Sequence, residues 1–296
     1  MPQFPHHPLA EVFGFPTDNF SSRAERYRAN RLCPYNNKVP SCTKDKANAP
    51  LGVCSIFHGG GTAITCPIRF RQDWLIAEHA ANFFFPRQSR WTSLTEIRLN
   101  DANGKTAGNI DIVLVSYDEA GRVTDFGSLE VQAVYISGNI RKPFEFYMEN
   151  PTERYAMDWS NQSHYPRPDY LSSSRKRLAP QLLYKGSILN AWGKKMAVAV
   201  DTGFFDTLPP LPAVSPEEAN LAWLVYGLER DENRKIFTLH LDKIVYTRFK
   251  PALDRITTPV PGPMPSFMDT LQHKLDEKLE NLLPPDAPTL TDILGE

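Results

Sequence analysis

Ile110-Asp111-Ile112-Val113-Leu114-Val115-Ser116-Tyr117-Asp118-Glu119-Ala120-Gly121-Arg122, followed after six intervening residues by Leu129-Glu130-Val131-Gln132, is the stretch that decides the fold. Aliphatic and β-branched residues over 110–117 and again over 123–135 predict two strands, with Ala120-Gly121 as a two-residue turn between them. Toward the N-terminus, Asn103-Gly104 is a stronger turn signal and residues 94–99 supply a third strand. The segment therefore reads as a three-stranded antiparallel meander. If each dipeptide closes a two-residue hairpin, the register is fixed, and Asp111 faces Glu130 across one turn and Glu96 across the other. Opposed residues share a sheet face with Cβ atoms roughly 5 Å apart, so three acids in a row need compensation. A divalent cation supplies it, and hard carboxylate oxygens suit Mg²⁺. Asp111 also shares its face with Val113 and Val115, where an unpaired charge is costly. Two positions past Glu130, Gln132 points to the same face, where its amide can orient a water or a phosphate oxygen. In the competing reading Glu96 and Asp111 sit at strand ends facing water. A bulge near Asp125-Phe126-Gly127 would break the row.

Outside the meander the pattern becomes helical. Trp74, Leu75, Glu78, His79, Asn82 and Phe83 recur at helical spacing, so a helix is expected over 71–85, with Pro86 ending it. After the meander, residues 178–192 read as a helix following a break at Pro180, 196–201 as a buried strand, and 221–228 and 236–246 as two more. Helix, meander, helix and strand make an α/β sandwich. Pro209, Pro210 and Pro212 form a stiff connector, and 251–265 reads as a proline-rich linker. Beyond it Met268, Leu271, Leu275, Leu279 and Leu282 follow 3 and 4 spacing, giving an amphipathic helix for packing on the body or on a partner. The expected units are a loop-rich segment 1–70, a core 71–250, and a linker and helix 251–296.

Composition narrows the functional classes. Hydrophobic residues at 41% and charged residues at 23% are globular values, which excludes a disordered or fibrous chain. No uncharged apolar run is long enough to span a membrane, and Met1-Pro2-Gln3-Phe4-Pro5 lacks the regions of a secretory signal, so a cytoplasmic location is expected. A net charge of −1 gives no global attraction to nucleic acid. Local basic clusters must supply any such surface: Arg23, Arg26, Arg28 and Arg31; Arg175-Lys176-Arg177; and Lys194-Lys195. Each also reads as an ordinary solvated face.

All four cysteines, Cys33, Cys42, Cys54 and Cys66, fall in one loop-rich segment rich in Pro, Asn and Gly. In a reducing compartment this grouping suggests a tetrathiolate metal site for iron or zinc, which would supply the cross-links of a segment with little core of its own. The spacings contain no C-x-x-C knuckle, so free or bridged cysteines are the other reading.

An Asp, a hairpin and then Glu-x-Gln resembles the PD-(D/E)xK nuclease superfamily, whose core is a central mixed sheet flanked by helices. Gln132 stands where its lysine would be. With the four cysteines upstream, Leu129-Glu130-Val131-Gln132-Ala133-Val134, and Ser174-Arg175-Lys176-Arg177-Leu178-Ala179-Pro180-Gln181-Leu182-Leu183, the chain looks like the NotI family of type II restriction endonucleases over roughly residues 10 to 250. That resemblance implies a structural iron held by Cys33, Cys42, Cys54 and Cys66, an active site of Glu96, Asp111, Glu130 and Gln132, and a bacterial homodimer cutting double-stranded DNA at a GC-rich palindrome. The expected chemistry is phosphodiester hydrolysis by a metal-activated water attacking in line, with Mg²⁺ on Asp111 and Glu130. Gln132, being neutral, positions a group and does not act as the base. Arg175, Lys176 and Arg177 are expected on the phosphate backbone, and Arg31, Asn36, Asn37 and Lys38 are candidates for base contacts. The alternatives are a non-catalytic DNA-binding protein with a structural metal site, or a repair or recombination nuclease of the same superfamily.

Overall fold

The first seventy residues are more regular than their composition suggests. The computed structural model describes residues 6–36, 38–46 and 49–280, and the chain forms two compact units, 1–257 and 258–296. The Met1–Pro5 stretch, Asn37 and Leu282 lie outside the described residues. Strands β1 (Leu9–Val12), β2 (Phe15–Pro16), β3 (Val53–His58) and β4 (Gly61–Ile64) form an antiparallel sheet in the order β2-β1-β3-β4, with helix α1 (Ser22–Ala29) between its hairpins. The strands are a departure from the loop-rich segment expected, but the core they build is shared with residues outside it. Leu9, Val12, Val53 and Ile56 pack against Ile140, Phe144, Tyr147 and Trp159. Five of the twelve buried residues of that core thus lie between 140 and 159, out of reach of any local pattern.

The meander forms, with both turns different in detail from the two-residue hairpins expected. It consists of β5 (Trp91–Asn100), β6 (Thr106–Tyr117) and β7 (Val123–Gln132). In each turn an aspartate opens and a left-handed glycine closes. Gly104 N–H donates to the Asp101 carbonyl and Gly121 N–H to that of Asp118, both at 3.0 Å, with glycine φ of +73° and +76°. The Asp101 carboxylate also accepts from the N–H groups of Asn103 and Lys105, and that of Asp118 from those of Ala120 and Arg122. Positive φ at these positions is what glycine supplies without steric cost. The extra turn residues are absorbed by register shifts at Leu99/Asn100 and Ser116/Tyr117. Past those shifts the register is the expected one, and no bulge interrupts Ser116↔Asp125, Val115↔Phe126 and Leu114↔Gly127. Thr95↔Ile112 and Ile97↔Ile110 bracket Glu96 opposite Asp111.

Beyond Gln132 the chain leaves the sheet, so the third strand ends three residues short of Tyr135. Val134 N–H donates to the Ile64 carbonyl, and Tyr135–Ser137 pairs separately with Arg167–Asp169. β8 (Met196–Asp201) then lies parallel to β7 and to β9 (Leu221–Asp231), and β10 (Ile236–Thr247) closes the far edge antiparallel to β9. The result is a six-stranded mixed sheet in the order β10-β9-β8-β7-β6-β5.

Helices cover both faces. On one side Ile76, Ala80 and Phe84 of α2 (Leu75–Phe84) pack on Ile112, Leu114, Leu129, Ala199 and Leu224. This helix begins four residues later than its periodicity suggests, because Asp73 and Trp74 adopt left-handed backbone that helix cannot continue through. α3 (Arg141–Glu149) belongs to the small sheet's core. The other face is covered by a helical run α4 over residues 170–191, whose Leu178, Leu182 and Leu189 meet Val198, Val200, Trp223 and Val225. Each such buried side chain contributes on the order of 1.5–3 kcal/mol.

α4 has no break at Pro180, contrary to the sequence reading, and the basic run 175–177 lies inside it. Two stretches of it, Ser173–Leu178 and Leu182–Gly186, are π-helical. Their wider turns change the i to i−4 pattern that a proline ordinarily disrupts. The expected linker also begins with structure: α5 (Phe249–Thr257) carries Pro251 in its first turn, where the missing N–H costs nothing. In the second unit α6 (Met264–Glu280) carries Met268, Leu271, Leu275 and Leu279 at the expected spacing. Among the described residues, no helix is long and apolar enough to cross a membrane.

Candidate active site

β6 and β7 pair as far as Ile112↔Leu129, and one step further the ladder gives way to side chains. There Asp111 Oδ2 accepts the Val131 N–H at 2.9 Å, taking the place of a backbone carbonyl. Its neighbour Glu130 is wholly buried, held between β6 and β8, where it pairs in register with Val198. Burial pushes the Glu130 carboxyl up to about 7; the charge of Asp111 adds to the rise and the ammonium of Lys185 opposes it. Lys185 Nζ donates to Glu130 Oε2 at 2.6 Å and to the Asn109 carbonyl at 2.9 Å. Glu130 Oε1 is buried with no hydrogen-bond partner.

In front of Asp111 lies a cavity of about 570 Å³, whose lining includes Glu96, Asp111, Gln132, Arg71, Lys176 and Arg177, while Glu130 lies buried behind that lining. Gln132 spends its amide N–H₂ on the Ala133 carbonyl at 2.7 Å, which leaves Oε1 as the end able to meet a ligand. Glu96 stands at the mouth, two-thirds exposed, with Lys38 at 3.8 Å and a left-handed φ of +58° in mid-strand. Of the basic run, Lys176 and Arg177 line the cavity, and the Arg177 guanidinium lies 4.8 Å from the centroid of the Tyr135 ring. Arg175 is exposed outside that lining.

Sequence reasoning missed Lys185 and Arg71. A signal for the first was present: Leu178, Leu182, Lys185 and Leu189 form one stripe at helical spacing, and a lysine in a core position requires a buried partner. For Arg71 there was none, since it sits in the irregular connector Pro67–Trp74.

All four cysteines are unbridged; Cys54 and Cys66 are buried, Cys33 and Cys42 half-buried. Burial pushes the Cys33 thiol up to about 11 and raises Cys42 and Cys54 as well, and negative charge on Cys66 adds to the rise at all three. Cys66 is therefore within electrostatic reach of the other three. Even so, among the described residues no three Cys, His, Asp or Glu side chains form a group able to hold a metal.

A search of curated proteins finds no match. Residues 18–239, three-quarters of the chain and all of the site just described, match the family described as Restriction endonuclease NotI. The chain thus belongs to the NotI family of restriction endonucleases, type II enzymes that bind double-stranded DNA and cut it at specific sites.

Proposed function

We propose that Asp111 and Glu130 are the Mg²⁺-binding acids of a PD-(D/E)xK active site, with Gln132 and Glu96 as its remaining members. On this reading residues 1–70 are the cysteine-bearing part and 71–250 the catalytic core. The observation that carries it is the bare oxygen of Glu130. A buried, unpartnered acceptor costs about 1–3 kcal/mol, and the negative charge of Asp111, which lines the cavity, opposes ionisation of the buried Glu130 beside it, so a cation shared by the two acids relieves both costs. Hard oxygens of this kind fit Mg²⁺. When bound there, the ion supplies Lewis acidity toward a phosphoryl oxygen and makes water a better nucleophile.

The chain's own side chains do the rest. Lys176 and Arg177 hold the phosphate backbone at the cavity wall, where charge-assisted contacts fix the register of the DNA. The Val131 N–H and Lys185 fix the two acids, so that the site is preorganised before substrate arrives. Gln132 Oε1 accepts a hydrogen from the attacking water and aims it. Being neutral, it does not keep the proton. Glu96, open to solvent, gives that proton an acceptor at the mouth of the cavity. Two copies cutting both strands of a palindrome, GC-rich in this proposal, follow from symmetric recognition.

Family membership sets aside the non-catalytic and repair-nuclease alternatives. The same proposal gives Cys33, Cys42, Cys54 and Cys66 a structural iron, or zinc, in a bacterial cytoplasm; all four are unbridged, although among the described residues they do not come together as a group able to hold a metal. The test of the active site is Asp111→Asn in a Mg²⁺-dependent plasmid digest with the ends sequenced. Cleavage is expected to be lost while duplex binding persists. Retained cleavage would overturn the assignment.

A further inference from the structure

Arg71 belongs to two spaces at once. It lines the cavity in front of Asp111, and it lines a neighbouring recess of about 400 Å³ shared with Asp73, Trp74 and Asn36. No acidic partner of its guanidinium is seen among the described residues, and it lies 6.0 Å from the centroid of the Trp74 ring. The connector that carries it is unusual for a loop. Asp73 and Trp74 are consecutive non-glycine residues with φ of +51° and +56°, a conformation that persists only where surrounding contacts impose it.

Those contacts run as a chain from the core to the surface. Glu11, fully buried, accepts from Arg69 Nε with both oxygens, at 3.0 and 2.9 Å. Arg69 Nη1 donates to Gln72 Oε1 at 2.7 Å and Nη2 to the Phe237 carbonyl at 2.9 Å. Gln72 Oε1 also accepts from Leu239 N–H at 2.9 Å, which fixes the amide, and its Nε2 donates to Asp73 Oδ2 at 3.3 Å. An exposed carboxylate is thereby aimed by a buried ion pair, two residues from an arginine that faces the cleavage cavity.

A surface built only for phosphates has no use for that carboxylate, which the backbone charge repels. Base edges do have a use for it. In the major groove guanine offers O6 and N7 to the fork of an arginine, and cytosine offers its N4 amino group to an aspartate. Arginine beside aspartate on a rigid turn is complementary to both halves of one G·C pair. We propose that Arg71 and Asp73 form the base-reading element of this enzyme and recognise a G·C pair near the scissile phosphate. The inference rests on the cavity at Asp111 being the cleavage site.

The test uses the full chain with substitutions Arg71→Lys, Arg71→Gln and Asp73→Asn on a plasmid library with randomised sites, with Mg²⁺ and end sequencing. Relaxed discrimination at one and the same G·C position is expected in all three, by about 10- to 100-fold in relative cleavage of sites with another pair there. Arg71→Lys is the decisive variant, since it keeps the charge and loses the fork. Uniformly weaker cleavage of every site, with the slope of log affinity on log salt reduced by about one, would make Arg71 a backbone contact and overturn the proposal. An unchanged site spectrum in Arg71→Lys would overturn it as well. Failure of the underlying reading is separate, because it appears as cleavage retained by Asp111→Asn.

Discussion

Lys185 reaches from the helix over residues 170–191 to Glu130 across 2.6 Å, and both side chains are withdrawn from solvent. The pair ties the helix to the two strands at the point where their ladder opens. Breaking a buried pair by removing one partner leaves an uncompensated charge, at a cost of about 3–5 kcal/mol. Lys185→Met should therefore lower the free energy of unfolding by about 3 kcal/mol at pH 8. Near pH 5 the loss should be much smaller, because Glu130 then carries a proton. Urea unfolding at the two pH values measures this, and equal losses at both would leave Lys185 a packing role only.

The Glu130 carboxyl sets a pH dependence of its own. It titrates at about 7 in the folded chain against an ordinary 4.5, so the folded state binds the proton more tightly than the unfolded state does. Without divalent cation, its contribution to stability is full below pH 4.5 and is lost as pH rises to 7, roughly 3 kcal/mol in all. Asp201, raised by burial to about 6 from 3.8, acts in the same direction over a lower window. His7, lowered by burial to about 4 from 6.5, acts oppositely, because its unfolded form holds the proton more tightly. Subtracting the profile of Glu130→Gln from that of the parent removes both of these. The difference should fall between pH 4.5 and 7 and flatten when Mg²⁺ is added. A difference that stays level across that range would rule out a raised Glu130.

How much of this could be read in advance follows the range of the interactions. The register of Glu96 and Asp111 was legible because the glycine turns sit where the two dipeptides put them, and the shifts at Leu99/Asn100 and Ser116/Tyr117 return the strands to the pairing that two-residue hairpins would give. Strand 196–201 was legible as an unbroken apolar run, which is what burial on both faces requires. The small N-terminal sheet was not, since its core is completed by Phe144, Tyr147 and Trp159. Nor was the late start of helix Leu75–Phe84, because the left-handed Asp73 and Trp74 are imposed by the buried Glu11–Arg69 pair and its link to Gln72. Helical periodicity carries no trace of such a tertiary constraint.

Cys66 lies near enough to the other three cysteines for its charge to raise each of them, so its removal tests whether the four share a metal. Protein purified without chelator is expected to contain one iron or zinc per chain, and Cys66→Ser to lose it. A ligand present at a hundred times its Kd contributes about 2.7 kcal/mol, so at that saturation stability should fall by about 2.7 kcal/mol with the metal gone. Elemental analysis combined with urea unfolding checks both. A metal-free parent of unchanged stability would sink the structural metal.

Glu96 lies opposite Asp111 with its backbone at φ +58°, in the middle of a strand. For an L-residue the left-handed conformation costs roughly 1–2 kcal/mol, and glycine escapes that cost. In an ordinary strand the order is the other way, with glycine about 0.5–1 kcal/mol less stable than alanine. At this position the order should reverse, so that Glu96→Gly unfolds about 1 kcal/mol later than Glu96→Ala. Both lose the pair with Lys38, which is too exposed and too long at 3.8 Å to separate them. Cleavage should behave differently, falling about equally in both variants, because the carboxylate they lack is the same. Single-turnover rates beside urea midpoints distinguish the two effects. Alanine as stable as glycine would mean the backbone is not strained, and parental cleavage rates in both would remove Glu96 from the active site.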